Sequence, residues 1–519
     1  MGGAVQGKDR AQIELPAGSR GLTAFALALG TFMQVLDLTI ANVSLPTIAG
    51  SLGVSPNQGT WIITSFAVSN GISVPLTGWL MRRYGVVRTF ATSVALFTLA
   101  SFLCGIAWSF ESLVAFRVLQ GLVSGPMIPG SQSLLMSIFQ PSRQGVALAI
   151  WSMTTLIAPV MGPLLGGYIS DNFTWPWIFL INVPVGILSA GVCWAALRGH
   201  ETPTAKVPVD GIGLALLIVW VGALQIMLDT GKDAGWFDAT GIVVLTVVAV
   251  IGFCAFLIWE LGERHPIVDL SYFRSRNFAV GTLILCIGYA VFFGNVVILP
   301  LWLQTQLGYT ATWAGLVQAP AGLVALIVSP FAGRTVHRYD ARWYATFSFI
   351  MLAVGLYMRA QLNSQAAFID FVLPMLVQGV SMAFFFVSMI TISLDGLTPQ
   401  QVPAANGIAN FLRITAAAFS TSIATTTWEN RALLHQGQLA EASSAYSPTL
   451  QYAAGTLKGL GLDDQQALGA LTRGLVEQSV MLSSLDYFWI STWMALGLVG
   501  LVWLTRRPRA PAGQPIAAE

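Results

Sequence analysis

The stretch "VLDLTIANVSLP" at residues 35–46 sets a carboxylate, Asp37, in a run with no other charge from Gly21 to Gly53. In hydrocarbon a carboxylate costs about 2.5–3.5 kcal/mol on insertion scales, and so short a side chain cannot snorkel to water. Asp37 must therefore face protein or a water-filled cavity. Its helical neighbours Gln34, Ala41 and Ser44 form a small and polar stripe, which directs it inward, onto a central cavity. Two arginines also lie in apolar runs: Arg117, within a turn or two of the depth of Asp37, and Arg413, close to a span midpoint. Burial favours the neutral form of a carboxylate, while a nearby arginine favours the ionised form. Asp37 held between them can alternate, whereas arginine stays charged throughout. The chemistry is proton coupling by Asp37 with Arg117. A fixed ion pair that only joins two helices is the competing reading, and the residues leave both open.

These residues need helices to position them. Of 519 residues, 55% are hydrophobic and 9% charged, with mean hydropathy +0.70. Soluble domains carry about 25% charged residues, so this chain is an all-α polytopic membrane protein. A span needs about 20 apolar residues. That rule predicts fourteen, near 22–44, 60–81, 89–108, 112–137, 145–169, 175–197, 210–228, 239–259, 278–304, 311–333, 343–360, 369–394, 404–428 and 484–505. An even count puts both termini on one side. That side holds eighteen of the 25 Lys and Arg, five lie opposite and two lie in spans, so the N- and C-termini are expected in the cytoplasm. The first 20 residues lack an apolar signal-peptide core. Cys104, Cys193, Cys254 and Cys286 sit in apolar runs without metal-ligand spacing, which predicts neither disulfides nor zinc.

The two ends of the chain repeat each other in order. "LPTIAGSLG" (45–53) matches "LPLWLQTQLG" (299–308), and "GWLMRRYG" (78–85) matches "GRTVHRYD" (333–340). "LQGLVSG" (119–125) faces "VQGVSMA" (377–383), and "QGVA" (144–147) faces "NGIA" (406–409). The organisation is a tail (1–20), six spans (21–200), two inserted spans with linkers (201–270), six spans (271–505) and a tail (506–519). Repeated halves with a site between them are a transporter architecture.

Several segments carry a family resemblance: "LDLTIANVSLP", "GWLMRRYGVVR", "FRVLQGLVSGP", "GPLLGG" and "WPWIFLINVPVG". The chain resembles the major facilitator superfamily, its fourteen-span drug:proton antiporter branch and, within that, the EmrB-type exporters. The resemblance implies two six-helix bundles plus two extra transmembrane helices. It also implies proton-driven export of hydrophobic compounds across the bacterial inner membrane, without a cofactor. It further implies an EmrA-type periplasmic adaptor and an outer-membrane channel as partners, with the long loop at 429–483 as a docking surface; a lid without a partner is the alternative.

In the fifth span, Gly162, Gly166 and Gly167 lie at small-residue spacing beside Pro159 and Pro163, as in a bending seam or simply in tight packing. At the cytoplasmic gate, Gly78, Arg82, Arg83, Gly85 and Arg88 depart from the family pattern, because Arg82 stands where an acidic residue is usual. Anchoring to anionic lipid is the other reading. The expected substrate cavity takes polar groups from Gln34, Asn42, Gln120, Asn295 and Gln378. Phe292, Phe293, Phe384, Phe385 and Arg413 complete it, although the aromatics of "MAFFFVSM" fit a lipid-facing surface equally well. Asp229 and Asp395 sit at span ends, where solvated capping is expected.

No Ser/His/Asp, metal-ligand or phosphate-loop constellation appears, which disfavours an enzyme or an ATP-driven pump, and no basic excess suggests nucleic acid. A dedicated fatty-acid or metabolite exporter, a lipid flippase and a non-transporting scaffold remain as alternatives.

Overall fold

The computed structural model describes residues 17–139, 158, 161–205, 208–231, 233–264, 266–336, 339–397, 401–442 and 447–507. All regular structure among them is helical. Pro159, most of the fifth expected span and most of both tails lie outside the described residues.

Helix α1 (Ala17–Leu52) shows how an apolar helix carries buried polar groups. Its hydroxyls bond back to their own helix: Thr23 donates to the Ser19 carbonyl at 2.8 Å and Thr39 to the Leu36 carbonyl at 3.1 Å. Thus these hydroxyls can be buried without an orphaned donor. It is followed by α2 (Trp61–Tyr84), α3 (Val86–Gly105), α4 (Phe110–Ser124), α5 (Met127–Ile138), α6 (161–172) and α7 (Asn182–Leu197). The expected fourth span is thus two helices, broken at Gly125-Pro126. Glycine is required on the α4 face against α2: a Cβ on Gly121 would stand 2.5 Å from the Phe66 carbonyl oxygen.

The inserted pair is α8 (Gly211–Thr230) and α9 (Thr240–Gly262). Helices α10 (Arg276–Thr305), α11 (Ala311–Thr335), α12 (Ala341–Ala360), α13 (Phe368–Ser393), α14 (Val402–Ala442), α15 (Pro448–Gly459) and α16 (Asp464–Val502) complete the fold. Among the described residues, ten helical segments are long and apolar enough to cross a membrane. Much of 429–483, expected as a long outer loop with an Asp start signal and helix-period apolar residues from Asp463, is helical: α14 and α16 run well past the apolar stretches that predicted them. Counting apolar residues detects where hydrocarbon contact stops, not where the backbone stops being helical. The Asp463 start signal does open α16, accepting from the Gln466 amide in a capping box.

The N-terminal helices pack among themselves (α2 on α4, α3 on α7, α1 on α7), as do the C-terminal ones (α12 on α13, α11 on α13, α10 on α14). Between the two groups runs a seam, formed chiefly by α2 on α14 with α1 on α10. The inserted α8 touches both sides of it, through α2 and α14.

Candidate functional site

Asp37 and Arg117 meet. Asp37 is 0% and Arg117 1% exposed, so the pair is sealed from solvent. Arg117 Nη1 donates to Asp37 Oδ2 and, at 2.7 Å, to Gln120 Oε1; its Nε donates to the Ile62 carbonyl at 2.9 Å. The second carboxylate oxygen, Oδ1, accepts from Gln120 Nε2 and Asn182 Nδ2, each at 3.1 Å. Both amides also donate to Ser101 Oγ, at 3.2 and 3.0 Å, and Ser101 in turn donates to the Phe179 carbonyl at 2.9 Å. The guanidinium carbon lies 4.2 Å from the Phe66 ring centroid and 5.4 Å from that of Phe179. The cluster around this carboxylate thus joins α1, α3, α4 and α7, with α3 reached through the two amides. Removing one partner of such a buried pair typically costs about 3–5 kcal/mol.

The placement differs from expectation in two respects. Helix α1 continues to Leu52, so Asp37 lies fifteen residues from its end, about 22 Å, which is deeper than the apolar run suggested. It faces the interior of the N-terminal helices rather than a cavity. Asn182 and Ser101 went unnominated; Asn182 stands inside the quoted "WPWIFLINVPVG", where a lone amide among apolar residues was the available signal.

The cavity nominees divide. Gln120 belongs to the Asp37 cluster. Gln34 and Asn42 are each 1% exposed, and Gln34 Oε1 and both polar atoms of the Asn42 side chain have no hydrogen-bond partner among the described residues. Phe293 is buried among residues of both groups of helices, at the seam, and stacks with Tyr289 at 5.9 Å; Phe292 lies 6.4 Å from Tyr289. Arg413 stands over Tyr289 at 4.4 Å and Phe386 at 5.6 Å, and among the described residues no carboxylate pairs with it. Asn295 instead donates to the Val291 carbonyl and to Ser491. Within "MAFFFVSM" the three rings part company. Phe384 packs on Tyr344 and the exposed Phe347, Phe385 packs on Phe349, and Phe386, which was not nominated, reaches the Arg413 group.

Gln378 lies elsewhere, accepting from Arg359 Nη2. Arg359, expected on the outer side at the end of the span 343–360, is 1% exposed in the last turn of α12; its Nε donates to the Gly355 carbonyl at 3.3 Å and its guanidinium lies 5.4 Å from the Phe488 ring. Asp229, expected to be a solvated cap, is only 8% exposed. In both cases longer neighbouring helices cover a residue that terminates its own apolar run.

The small-residue motif sits at the seam. A Cβ on Gly162 would stand 2.1 Å from Thr39 Oγ1, one on Gly166 2.5 Å from the Ile40 carbonyl oxygen, and one on Gly167 2.3 Å from that of Ala311. Across the seam, a Cβ on Gly315 would stand 2.2 Å from the Pro163 carbonyl oxygen. Helix α6 is therefore clasped between α1 and α11. Asp171 at its end accepts from the Ala311 and Thr312 amides, at 3.2 and 2.7 Å, and so caps α11 from the other side of the seam. Partial burial alone would raise its carboxyl, but hydrogen bonds from Thr312, Thr310 and Ala311 hold it below the ordinary range.

In the gate loop, Gly78, Arg82, Arg83 and Arg88 are exposed, and Gly85 has φ +92°, a conformation that favours glycine. Glu201 accepts from the Val87 and Arg88 amides, at 3.0 and 2.9 Å, and caps α3; the Ala205 amide donates to the Arg82 carbonyl. The carboxylate of this loop comes from beyond α7, not from the position that Arg82 occupies.

Residues 27–421 match the Major Facilitator Superfamily profile. The chain is 48% identical over 495 residues to the multidrug export protein EmrB of Escherichia coli K12, which covers 95% of this chain and 96% of that one. It is 44% identical over 483 residues to the fatty acid resistance protein FarB of Neisseria gonorrhoeae, covering 93% and 95%. Its fold is similar to that of an inward-facing, unoccupied bacterial homologue of the human lysosomal transporter Spinster, with a TM-score of 0.60 at 18% identity over 95% of this chain and 100% of that one.

Proposed function

The chain belongs to the Major Facilitator Superfamily, and from that premise we propose that it is a proton-coupled antiporter exporting hydrophobic small molecules across the bacterial inner membrane. It is a multi-pass membrane transporter, not an enzyme. We further propose fourteen spans with both termini cytoplasmic and the Leu52 end of α1 facing outward, in keeping with the bias of Lys and Arg between loops.

The observation that carries the reading is the sealed Asp37 cluster. Asp37 is the one carboxylate in a network whose other members are an arginine, two amides and a hydroxyl. Protonation of Asp37 cancels its pairing with Arg117, strips that cation of its counter-charge, and loosens the joint between α1, α3, α4 and α7. Deprotonation toward the cytoplasm restores it. The membrane potential supplies about 2.3 kcal/mol per charge per 100 mV to this cycle. The seam glycines of α6 provide the close-packed surface on which the halves would rock.

For substrate, Arg413 over Tyr289 and Phe386 favours an apolar compound bearing a negative charge. A dedicated fatty-acid exporter is therefore the second reading, supported by the same arginine and by the similarity to FarB. Similarity along nearly the whole length to EmrB supports a drug substrate and partnership with a periplasmic adaptor and an outer-membrane channel.

Reconstituted in liposomes, the protein should release protons when substrate is added. A weakly acidic uncoupler and a long-chain fatty acid serve as probes for the two substrate readings. Asp37→Asn should abolish release while the protein still inserts. Substrate transport with no proton movement in the parent protein would sink the coupling.

A further inference from the structure

Asp37 is not the only buried carboxylate at a helix junction. Asp229 closes α8 in its last turn, and its three hydrogen-bond donors come from three places. Thr64 Oγ1 of α2 donates to Oδ2 at 3.0 Å, Gln225 Nε2 of α8 donates to Oδ1 at 2.9 Å, and Ser422 Oγ of α14 also donates to Oδ1. Gln225 Nε2 reaches Ser422 Oγ as well, at 2.7 Å. One side chain thus holds the N-terminal helices, the inserted pair and the C-terminal helices together.

The position on the seam follows from helix register. Thr64 and Gly71 lie two turns apart on α2, as do Ser422 and Thr415 on α14. A Cβ on Gly71 would stand 2.9 Å from Thr415 Oγ1, so the two helices run in close contact along this length. Any movement that parts α2 from α14 must give up the Thr64 or the Ser422 bond to Asp229.

The donors are hydroxyls and an amide, not cations. Of the charged groups on the elements packed around it, Arg413 lies nine residues before Ser422 and is engaged with Tyr289, Phe386 and Asn410. Arg431 pairs with Asp486 at 3.6 Å, Glu429 lies seven residues beyond Ser422, and Arg82 and Arg83 lie at the far end of α2. Asp210 and Glu260 lie at the other end of the inserted pair, and Asp233 and Asp238 follow on the linker to α9. Lys232 lies outside the described residues. Among the described residues no cation pairs with Asp229, so it can gain a proton without breaking an ion pair.

We propose that Asp229 is a proton-binding site on the outer part of the seam, whose ionised form clamps α2 to α14 through α8 and whose protonated form releases them. The ionised carboxylate accepts three hydrogen bonds. Adding a proton turns one oxygen into a donor, and a hydroxyl that now donates to it must swing round or let go. The proton is taken from the outer side and returned to it, so the site sets how readily the seam opens without carrying net charge across. This requires only the alternating movement of halves in the transporter fold, not proton coupling at Asp37.

The test places spin labels on the exposed positions Ser51→Cys of α1 and Asn430→Cys of α14, in a Cys254→Ser background, and reads the distance between them against external pH in liposomes. Acidification should raise the population of the wider distance at least tenfold. Asp229→Asn should show the wide population at every pH, and Asp229→Glu should restore a pH response. A pH response in Asp229→Asn equal to that of the parent, or a parent that shows none, would overturn the site. Lys232→Gln should respond as the parent does, and loss of response there would reassign the effect to that lysine. Proton release by substrate, measured in the same vesicles, reports separately on Asp37.

Discussion

The two repeated halves each bury an arginine against the equivalent glutamine, but only one buries a carboxylate with it. At the offset that pairs Gln120 with Gln378, Ser101 falls on Arg359 and Arg117 on Met375; at the 254-residue offset that pairs Leu45-Pro46 with Leu299-Pro300, the carboxylate position Asp37 corresponds to Val291. In the N-terminal half the arginine comes from α4 and is neutralised by Asp37. In the C-terminal half it comes from α12 and is held by the Gln378 side chain, the Gly355 carbonyl and the face of Phe488. A common frame thus carries two electrostatic designs. The first changes its bonding when a proton arrives. The second contains no group among these partners that a proton would alter. On the proposed coupling at Asp37, the difference assigns proton response to one half, whereas burying an arginine is compatible with both.

The strongest way to break the comparison is at Asp37. Asp37→Asn leaves Arg117 buried without its counter-charge and should abolish proton-driven efflux, a loss of at least 100-fold in initial rate. It should also lower stability by about 3–5 kcal/mol, read from the thermal midpoint of the purified protein. The double variant Asp37→Asn/Arg117→Met separates the two effects. Stability should recover, because a neutral pair of similar volume is tolerated, while efflux stays lost. Recovery of both would reduce the pair to a structural strut. The matching change in the other half, Arg359→Met, removes a cation that has no carboxylate partner among the described residues. Efflux should stay within about fivefold of the parent and keep its pH profile. A shifted pH profile there would erase the distinction between the halves.

How much of this was legible depended on whether a residue's own helix or its neighbours decided its environment. Asp37 and Arg117 stood out because each interrupts an apolar run, and charges at similar depth must find one another. Asn182 and Ser101 complete the cluster without any sequence anomaly strong enough to mark them, since single amides and hydroxyls bury cheaply in helices. Arg359 and Asp229 were misplaced for one reason: both end their own apolar stretch. Burial there comes from other helices, among them α14 and α16, which continue beyond the hydrocarbon-length segment. The seam glycines were legible as a motif, but which helix each would touch emerges only from the packing.

Those glycines give the next effect in size. Gly166→Ala would push a methyl to within 2.5 Å of the Ile40 carbonyl oxygen, a backbone atom that cannot rotate aside. Gly162→Ala meets Thr39 Oγ1, which can turn about χ1, and then keeps only a milder contact with Thr39 Cβ at 2.8 Å. Efflux should therefore fall more in Gly166→Ala, by about tenfold, corresponding to overpacking of about 1–3 kcal/mol. Gly162→Ala should lose less. Equal losses, or none, in vesicle efflux would mean that the packed α6–α1 contact does not move during transport.

The smallest effect sharpens the contrast from the surface. Asp171 also bonds across helices, but from an exposed position and to the backbone amides of α11, with no arginine among its hydrogen-bond donors. A carboxylate at a helix N-terminus contributes about 0.3–1 kcal/mol, far less than the buried pair. Its carboxyl is held below the ordinary range while the contact exists. The hold is therefore complete above a pH of about 4, the unpaired value, and disappears as pH falls through the lowered one. Over the range in which Asp229 is expected to respond, Asp171 should stay ionised and contribute a constant bias toward the closed seam. Asp171→Asn should consequently raise the open population about two- to fivefold at neutral pH without changing its pH dependence, read by the same labelled pair. If the variant altered the shape of the pH response, the carboxylate at the end of α6, rather than the one on α8, would be the titrating group at the seam.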